Sequence, residues 1–593
     1  MKWIRLGSCV GLAFGMSLAL AAGGDGSTLS VAPPRDLAIV LDGQDLTLPE
    51  VASIARDSAA ISVPPAAMER VQQSFNVLLE AAREDKPIYG LTRGVGKNKD
   101  KRVFLGGQIT PAARRLSEQF NANLLRVQAA ATGPSAPVEV VRAAMAIRLN
   151  AMLIGHTGVQ PTVIRGLEDF LNHGITPVVP TQGTVGEADI DILSHIGLAL
   201  MGEGEVYYGG STVPAATALR KSGLTPLVPF GKDALSIFSS NAYSAAIATL
   251  AAVDAEHMLA RARQVFALSL EGINGNIAPF LAEVQNTRAF PGQAAAAAAA
   301  RYDLDGSYLF SLDPARALQD PLSYRTFSQV AGSADDILAR LESQLVIQIN
   351  TSDDNPTVLI GATPPTGAMP QELAYFVHGN GVQGAVVPTA NFEPLSWVLQ
   401  LESLSVALAH VSDTSMQRTL RLGTPDITHL SRFLTADANS IGFAAIQKVP
   451  ADLAAQNRQL AGDVSLNVIP VAGDIEDTAT NAAAAATNLG KIVDNTYSIL
   501  GVELMHAAQA VDLRLRANPA LPLGRGTRPF LRSYRQIVSF LDKDRYLSPD
   551  VAHSSAFLRS SSGPLQDLDR LRSSDATRSG GAGACAHLKT QDW

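Results

Sequence analysis

The longest apolar repeat in this 593-residue chain runs from residue 477 to residue 517, and it limits the possible folds more than any other feature. Apolar side chains recur there at spacings of three and four residues, which is helical periodicity. A helix of this length exceeds an ordinary surface helix, so the pattern predicts a helix at the centre of a bundle. Alanine is frequent in it, and small side chains let neighbouring helices approach closely.

Helical periodicity also dominates the rest of the chain, whereas the alternation of β-branched residues that predicts strands is scarce. The predicted helical segments are 64–84, 111–132, 136–155, 161–173, 190–202, 232–271, 326–350, 371–379, 394–421, 438–460, 477–517 and 528–541, with an alanine-rich helix over 293–301. With 46% hydrophobic and 17% charged residues, the chain can bury a large core. We therefore predict an all-α fold, a large helical bundle that assembles as an oligomer.

The two ends of the chain are predicted to lie outside this bundle. Residues 1–22 combine two basic residues, an apolar run and a small-x-small pattern, which together indicate a secretory signal peptide and a periplasmic or secreted location. A retained N-terminal anchor is the alternative. Residues 23–60 are predicted to be a polar lead-in, 61–545 the helical domain, and 546–593 a partly disordered C-terminal tail.

Charge and cysteine content exclude several classes of protein. The net charge is −8 and the chain has no basic stripe of the kind that nucleic-acid binding needs. Cys9 leaves with the signal peptide, and Cys585 is then alone in a Gly- and Ser-rich tail, so neither a disulfide nor a cysteine metal site is predicted. The ten histidines offer no metal-ligand spacing, and no later segment has 18 uninterrupted apolar residues that would span a membrane.

Five polar loops interrupt the helices, and function usually resides on loops that a rigid scaffold holds. They are rich in Gly, Pro, Asn, Asp or Arg and comprise 89–96, 183–191, 319–325, 350–356 and 474–477. Tyr89 either presents its phenol to a cavity or packs before a flexible loop. The three carboxylates within 187–191 either belong to a site or cap a helix N-terminus. Arg325, just past a proline turn, suits bidentate binding of a carboxylate.

The order and spacing of these loops resemble the histidine, phenylalanine and tyrosine ammonia-lyase family from about residue 64 to residue 490. The matching motifs are 148–150, 155–158, 193–195, 202–204, 319–321 with Arg325, 352–356 and 391–392. The resemblance implies long near-parallel helices of the type also found in the fumarase and aspartase enzymes. It further implies a homotetramer with active sites shared between subunits, and a small amino-acid-like substrate.

In that family an Ala-Ser-Gly triplet cyclises and dehydrates into 4-methylideneimidazole-5-one (MIO), the electrophile that captures the substrate. The family prefix Gly-Ser-Val-Gly is present here as 183–186 with threonine second, and Glu187, Ala188 and Asp189 follow in a loop one residue shorter. Ala188 stands in the serine position and has no hydroxyl to eliminate. The glycine whose amide would attack is also absent. The sequence therefore predicts no MIO, and no other cofactor or metal.

Further departures from the family surround the same pocket. Leu322 replaces the family's tyrosine, Ser239 replaces an asparagine, and Gln128 replaces the histidine with which histidine lyases hold imidazole. The family residues that this chain retains are Tyr89, Gln319, Arg325, Phe392 and Glu476. The pocket therefore keeps a phenol, a carboxylate anchor and an acid, while its ring-binding and leaving-group residues have changed.

These residues predict a carbon–nitrogen lyase that works by β-elimination without a cofactor. The resemblance implies that Tyr89 removes the β-proton, Arg325 holds the substrate carboxylate, and Glu476 contacts the ring or the amine. A phenol needs its pKa lowered to act near neutral pH. Arg93, four residues along the same loop, is expected to favour the phenolate.

The missing electrophile limits the leaving group. A quaternary trimethylammonium needs no activation because it cannot lose its charge, so a histidine betaine such as ergothioneine suits the pocket, as in ergothionase-like relatives. Glu187, Asp189 and Asp191 would then surround the cation. The alternatives are another MIO-independent lyase or mutase, a conventional ammonia-lyase for histidine or an aromatic amino acid, and a non-catalytic tetramer that binds a small molecule.

Overall fold

The computed structural model describes residues 38–103, 107–466 and 469–560. Its α-helices, in chain order, are α1 Leu48–Arg56, α2 Pro65–Arg83, α3 Pro111–Gln128, α4 Val138–Leu153, α5 Pro161–Asn172, α6 Ile190–Leu200, α7 Ala215–Lys221, α8 Asp233–Phe238, α9 Ala242–Ile273, α10 Ala282–Asn286, α11 Pro291–Leu304, α12 Leu322–Arg325, α13 Phe327–Ile349, α14 Pro370–Leu373, α15 Leu395–Leu422, α16 Pro425–Thr428, α17 Lys448–Leu460, α18 Ala482–Ala517, α19 Thr527–Arg535 and α20 Ser548–Arg559. The predicted signal peptide and both cysteines lie outside the described residues.

Two long helices, α9 and α18, form the centre of the bundle and pack along each other. Of the 32 residues of α9, 25 are buried, because its apolar and alanine positions surround the helix on all sides. A Cβ added at Gly272 of α9 would lie 2.9 Å from Leu422 of α15 and 3.2 Å from Ala510 of α18. Small side chains therefore let the three central helices approach closely, and the predicted bundle of long helices is confirmed.

The stretch 233–273, which contains α8 and α9, is also long and apolar enough to cross a membrane, but 89% of its most apolar window is buried inside the protein. Its hydrophobicity is accounted for by its place in the core. The sequence predicts one helix over 232–271, whereas the structure divides it at Ser239, Ser240 and Asn241. This break creates the free N-terminus of α9, which becomes part of the candidate site.

Short strands lie around the helices. They are β1 Ile39–Val40, β2 Ile61–Ser62, β3 Thr132–Ser135, β4 Thr176–Pro177, β5 Pro180–Gln182, β6 Glu205–Tyr208, β7 Ser211–Pro214, β8 Thr357–Ile360, β9 Phe376–Gly379 and β10 Val382–Val387. The β1–β2 pair is parallel, and β3 pairs with β5, β4 with β6, β6 with β7, and β10 with both β8 and β9, all antiparallel.

The prediction of a helix over 371–379 is wrong for its second half, because residues from Phe376 form β9. A two-residue turn at Asn380 and Gly381, with φ of 51° and 76°, reverses the chain into β10. Asn-Gly is the usual pair for such a hairpin, since both positions need positive φ. The turn signal was therefore present in the sequence and outweighed the local apolar spacing.

Helices extend into both segments that were predicted to flank the helical domain, 23–60 and 546–593. Helix α1 lies inside the predicted polar lead-in, where Thr47 and Glu50 form a reciprocal capping box and Val51 and Ile54 are fully buried. Helix α20 lies inside the predicted tail and packs against α18. Gly501 of α18 permits this contact, since an added Cβ would meet the backbone of residue 555 at 3.0 Å.

Candidate active site

The loop 183–189 lies between the N-terminal ends of α9 and α18. The Gly186 carbonyl accepts a hydrogen bond from Asn241 Nδ2 at 2.9 Å, and the Val185 carbonyl accepts one from the Asn481 amide at 2.7 Å. Gly186 has φ of +92°, and a Cβ there would lie 2.5 Å from Thr480 Oγ1. A side chain at this position is therefore excluded both by conformation and by space.

A buried network of charges holds this end of α9 in place. Arg148 binds Asp353 Oδ1 at 3.1 Å and Asp354 Oδ1 at 2.9 Å, and Lys232 lies 3.5 Å from Asp354 Oδ1. Asp353 Oδ2 in turn accepts the Asn241 amide at 2.8 Å, at the start of α9. The motifs around residues 148 and 353 therefore position the loop rather than contact a ligand, because their charges satisfy one another.

Asp189 is completely buried and caps α9. Its Oδ2 accepts the Ser244 amide at 2.8 Å, and its Oδ1 accepts the hydroxyls of Ser244 at 2.6 Å and Thr184 at 2.9 Å. Burial raises the pKa of Asp189 to about 6, although the hydrogen bonds from Ser244 oppose that shift. The expectation that Asp189 contacts substrate is therefore not supported, since the carboxylate points into the protein and is fully bonded.

The three residues in the position of the family's triplet form an ordinary peptide. Ala188 has φ of +63°, in the left-handed region, and carries no hydroxyl. The Asp189 amide, which corresponds to the attacking nitrogen, donates to the Ser240 carbonyl at 2.7 Å. This segment therefore lacks the side chain that MIO formation dehydrates, and its backbone nitrogen is already bonded elsewhere.

Glu187 lies on the same loop, where the charges of two other carboxyls, Glu393 and Glu476, act on it. It is 7% exposed, and its Oε1 has no hydrogen-bond partner among the described residues. Burial raises the pKa of Glu187 to about 8, with further contributions from the charge and hydrogen bond of Glu393 and from the charge of Glu476. The backbone of Thr480 donates to the carboxyl and opposes the shift. Glu187 is thus the most buried of these three acidic residues.

Glu476 and Asp191 complete that cluster. Glu476 ends a hairpin in which its carbonyl accepts the Val471 amide at 2.9 Å, and Asp191 lies in the first turn of α6. Burial and the charge of Asp191 raise the pKa of Glu476, and burial raises the pKa of Asp191 itself. We call Glu187, Asp191, Glu393 and Glu476 the acidic cluster. Because these negative groups repel one another, the cluster favours a cation.

Tyr89 faces the acidic cluster from the first glycine-rich loop. Its hydroxyl oxygen accepts the Gly96 amide at 2.7 Å, and the turn relies on positive φ at Gly90 and Gly96. Burial and the charge of Glu476 raise the pKa of Tyr89, while the bond from Gly96 opposes the rise. The predicted role of Arg93 in favouring the phenolate is not supported, since the pKa is shifted upward.

Three other predicted site residues lie on segments that surround this loop. Gln128 ends α3 and is half-buried, close to Ala131, which packs against Gly183. Ser239 is buried at the end of α8, next to the residue whose carbonyl accepts the Asp189 amide. Phe392 is half-buried and adjoins Glu393 in the segment before α15. Ser239 and Phe392 thus adjoin residues that contact the loop or belong to the acidic cluster.

Arg325 and Gln319 lie elsewhere in the chain. Arg325 Nη1 donates to Gln319 Oε1 at 2.9 Å, and both line a cavity of about 410 Å³ together with Ile273 and Asn274. That cavity is at the C-terminal end of α9, whereas Asp189 caps its N-terminal end. At 1.5 Å per residue, this helix separates the two places by about 45 Å. Within one chain, therefore, the structure does not bring Arg325 and Gln319 to Tyr89.

The acidic cluster and the Arg325 cavity are the two polar sites that the predicted residues define. In the described parts of the chain, no three His, Cys, Asp or Glu side chains are grouped so that they would hold a metal ion. Leu322, which replaces the family's tyrosine beside Arg325, is 62% exposed. Glu393 was not predicted as a site residue, although it directly follows the matching motif 391–392.

Comparison with known proteins now defines the class. The family model described as aromatic amino acid lyase matches residues 46–536, so the chain belongs to this family, and the predicted recognition is confirmed. The chain is therefore a carbon–nitrogen lyase of the ammonia-lyase family with a small amino-acid-like substrate. The same long-helix fold is found in its solved relatives, which confirms the predicted fold class.

Particular relatives refine this picture. Histidine ammonia-lyase from Geobacillus thermodenitrificans is 32% identical over 524 residues, which cover 88% of this chain and 97% of the relative. The crystal structure of the ergothioneine degrading enzyme ergothionase from Treponema denticola, in complex with desmethyl-ergothioneine sulfonic acid, is 37% identical with a TM-score of 0.79, and covers 88% and 98%. Tyrosine aminomutase from Streptomyces globisporus is 27% identical with a TM-score of 0.77, and covers 88% and 97%.

Proposed function

We propose that this chain eliminates trimethylamine from a histidine betaine such as ergothioneine, without MIO. The observation that carries the proposal is the acidic cluster, which takes the place of the family's electrophile and includes the buried, half-unpartnered carboxyl of Glu187. The similarity to the ergothioneine degrading enzyme supports this substrate class. We also infer that residues 1–22 direct the protein to the periplasm or outside the cell.

The absence of MIO follows from the chemistry of residues 187–189. A methylidene group arises by loss of a hydroxyl from the central residue, and Ala188 has none. The neighbouring Asp189 amide donates to Ser240, and the Asp189 carboxylate caps α9. Both hydrogen bonds favour an open peptide in this segment.

The acidic cluster favours a quaternary over a primary ammonium for a chemical reason. A carboxylate that accepts a proton from a primary ammonium turns it into a neutral amine, which leaves far less readily. A trimethylammonium has no proton to give and leaves as neutral trimethylamine. Negative groups around such a cation bind it and cannot deprotonate it.

Tyr89 is the proposed base. The phenolate takes the β-proton, and the electrons of the broken Cβ–H bond form the Cα–Cβ double bond. The Cα–N bond breaks with its electrons on trimethylamine. The Gly96 amide, 2.7 Å from the phenol oxygen, stabilises the phenolate. Burial and Glu476 raise the pKa of Tyr89 in the free enzyme, so the substrate's own positive charge is needed to lower it.

A second copy of the chain is proposed to supply the carboxylate anchor. Arg325 and Gln319 lie about 45 Å from the Tyr89 site along α9, and Arg325 Nε has no partner among the described residues. We infer that the chain forms a homotetramer in which Arg325 and Gln319 of one subunit face Tyr89 of another. Exposed apolar side chains on α13 and α15, Val346, Ile347, Leu399 and Val406, offer a surface for such an assembly.

The test is a substrate panel of ergothioneine, hercynine, histidine, phenylalanine and tyrosine. We expect growth of the ultraviolet absorbance of a conjugated acrylate, with stoichiometric trimethylamine, from ergothioneine or hercynine. Product from histidine instead would favour an ammonia-lyase, in line with the 32% identity to histidine ammonia-lyase. Absence of product across the panel would contradict the proposal and favour a binding protein.

A further inference from the structure

Lys97 connects two segments of the candidate site, the loop 89–103 and the hairpin 471–476, which we call the base loop and the acid hairpin. Its Nζ donates a hydrogen bond to the Gly473 carbonyl at 3.0 Å, across 376 positions of sequence. Its aliphatic stem covers the same residue, since a Cβ added at Gly473 would lie 3.4 Å from Lys97 Cδ and 3.8 Å from Lys97 Cβ. The two segments are therefore in contact at this side chain.

Each end of this contact adjoins a residue of the proposed reaction. On the base loop, the amide of Gly96, the residue before Lys97, donates to the Tyr89 oxygen at 2.7 Å. On the acid hairpin, Gly473 lies in the turn that is closed by a backbone hydrogen bond of 2.9 Å to the Glu476 carbonyl. A movement of Lys97 relative to Gly473 would therefore change the distance between the phenol and the carboxyl.

We propose that Lys97 is a positioning residue, which holds the base loop against the acid hairpin and so fixes the phenol of Tyr89 relative to the carboxyl of Glu476. It acts through these two residues and takes no part in the bond changes. Position matters here because proton transfer needs the reacting atoms within hydrogen-bond distance. The inference rests on the proposed function for the chemistry of Tyr89 and Glu476, whereas the contact between the two segments is independent of the substrate.

The backbone of both segments explains why such a contact is needed. Three of the first eight residues of the base loop are glycine, which leaves its conformation weakly determined by the local sequence. In the acid hairpin, Ala472, Gly473 and Asp474 have φ of 51°, 71° and 64°. Because two of these three are not glycine, the left-handed turn is strained and depends on contacts with its surroundings. The bond from Lys97 reaches the middle of this turn.

The other basic residues of the base loop do not share this contact. Lys99 lies 3.4 Å from Asp100, and Arg102 lies 3.1 Å from Asp85, so both are paired at the exposed surface. Such surface pairs contribute little to stability. Lys99 has the same side chain two positions further along and is therefore the matched control for Lys97.

Hydrogen exchange of the full-length protein tests the contact without reference to activity. Lys97→Met keeps most of the aliphatic stem and removes the donor. We expect the amides of both the base loop and the acid hairpin to exchange about fivefold faster in this variant, because a hydrogen bond between them is lost. Lys99→Met should leave the exchange of both segments unchanged. Unaltered exchange in either segment of Lys97→Met would overturn the inference.

Steady-state kinetics with ergothioneine test the positioning role. We expect Lys97→Met to lower kcat at least about fivefold with little change in KM, because the reacting groups are displaced while the carboxylate anchor at Arg325 is untouched. Lys97→Arg keeps a donor and should restore most of kcat. Wild-type kcat in Lys97→Met, or no gain in Lys97→Arg, would refute the role. If the exchange result holds but the wild-type protein converts no ergothioneine, only the proposed function fails.

An engineered disulfide gives a second check on the contact. Lys97 Cβ lies 3.8 Å from the Cβ position of Gly473, which is the usual Cβ separation in a disulfide. When Lys97→Cys is combined with Gly473→Cys, oxidation should join the two positions and slow the exchange of both segments relative to the reduced form. Failure of the two cysteines to form the bond would place the segments apart in solution and contradict the inference.

Discussion

Glu187 and Asp189 are separated by one residue and yet have different roles. The left-handed backbone at Ala188, with φ of +63°, separates Asp189, which is buried as a cap of α9, from Glu187, which belongs to the acidic cluster. From the sequence, the acidic run was interpreted either as a helix cap or as part of a site, and the structure divides the two roles between the residues. No local pattern could have made that division, because it depends on where α9 begins.

Replacement of Tyr89 by phenylalanine tests the proposed base. We expect kcat for ergothioneine to fall at least about 100-fold, because the proton acceptor is removed. Substrate affinity should change little, since the ring remains. Steady-state absorbance and calorimetry measure the two quantities. Retention of most of the activity would exclude Tyr89 as the base.

The mass of the purified protein tests the absence of MIO. We expect the mass of the processed chain with no loss of water, because Ala188 has no hydroxyl to eliminate. Intact mass spectrometry resolves a deficit of two waters without ambiguity. Such a deficit, located in a peptide that spans 187–189, would refute the proposed mechanism and its leaving group.

At the scale of elements, periodicity located the long helices, and turn or cap signals decided the rest. The helices α4, α13 and α15 lie within a few residues of their predicted bounds, because each has a sustained apolar repeat. Helix α1 was missed, although Thr47 and Glu50 form the capping box that marks its start. The contact of Asp189 with Ser244 was beyond prediction, since the two residues are far apart in sequence and meet only in the folded chain.

Asp189→Ala should destabilise the protein through α9. The substitution leaves the Ser244 amide and two hydroxyls without their acceptor, and loss of a helix cap costs about 1–2 kcal/mol. A lower midpoint in urea denaturation, with an unchanged slope, would measure this effect. Asp45→Ala, at an exposed loop position, is the control and should have no effect. Unchanged stability of Asp189→Ala would show that the cap is dispensable.

At the scale of the whole molecule, the length of α9 determines how a complete site can be built. Tyr89 and Arg325 are at opposite ends of a helix that is about 45 Å long, so no ordinary movement within one chain joins them. The family resemblance implied that both residues belong to one active site, which different subunits share. Sequence periodicity alone could not reveal this sharing. Catalysis by this chain is thus expected to depend on assembly.

Mixed assemblies of two inactive variants test this dependence. Tyr89→Phe and Arg325→Ala should each be inactive alone, because the first removes the base from every site and the second removes the carboxylate anchor. In co-expressed mixtures, half the sites receive an intact Tyr89 and half of those an intact Arg325, so about one quarter of wild-type activity should return. No recovery in mixtures of verified composition would place both residues of a site in the same chain.

The cap formed by Asp189 also determines what would be required to convert this scaffold back into a conventional ammonia-lyase. Grafting Ala-Ser-Gly onto 187–189 supplies the missing hydroxyl but deletes the acceptor of the Ser244 amide in the same step. The grafted loop would still be one residue short and clamped at Gly186. An engineer therefore has to lengthen the loop and give α9 a new cap before an electrophile can be installed.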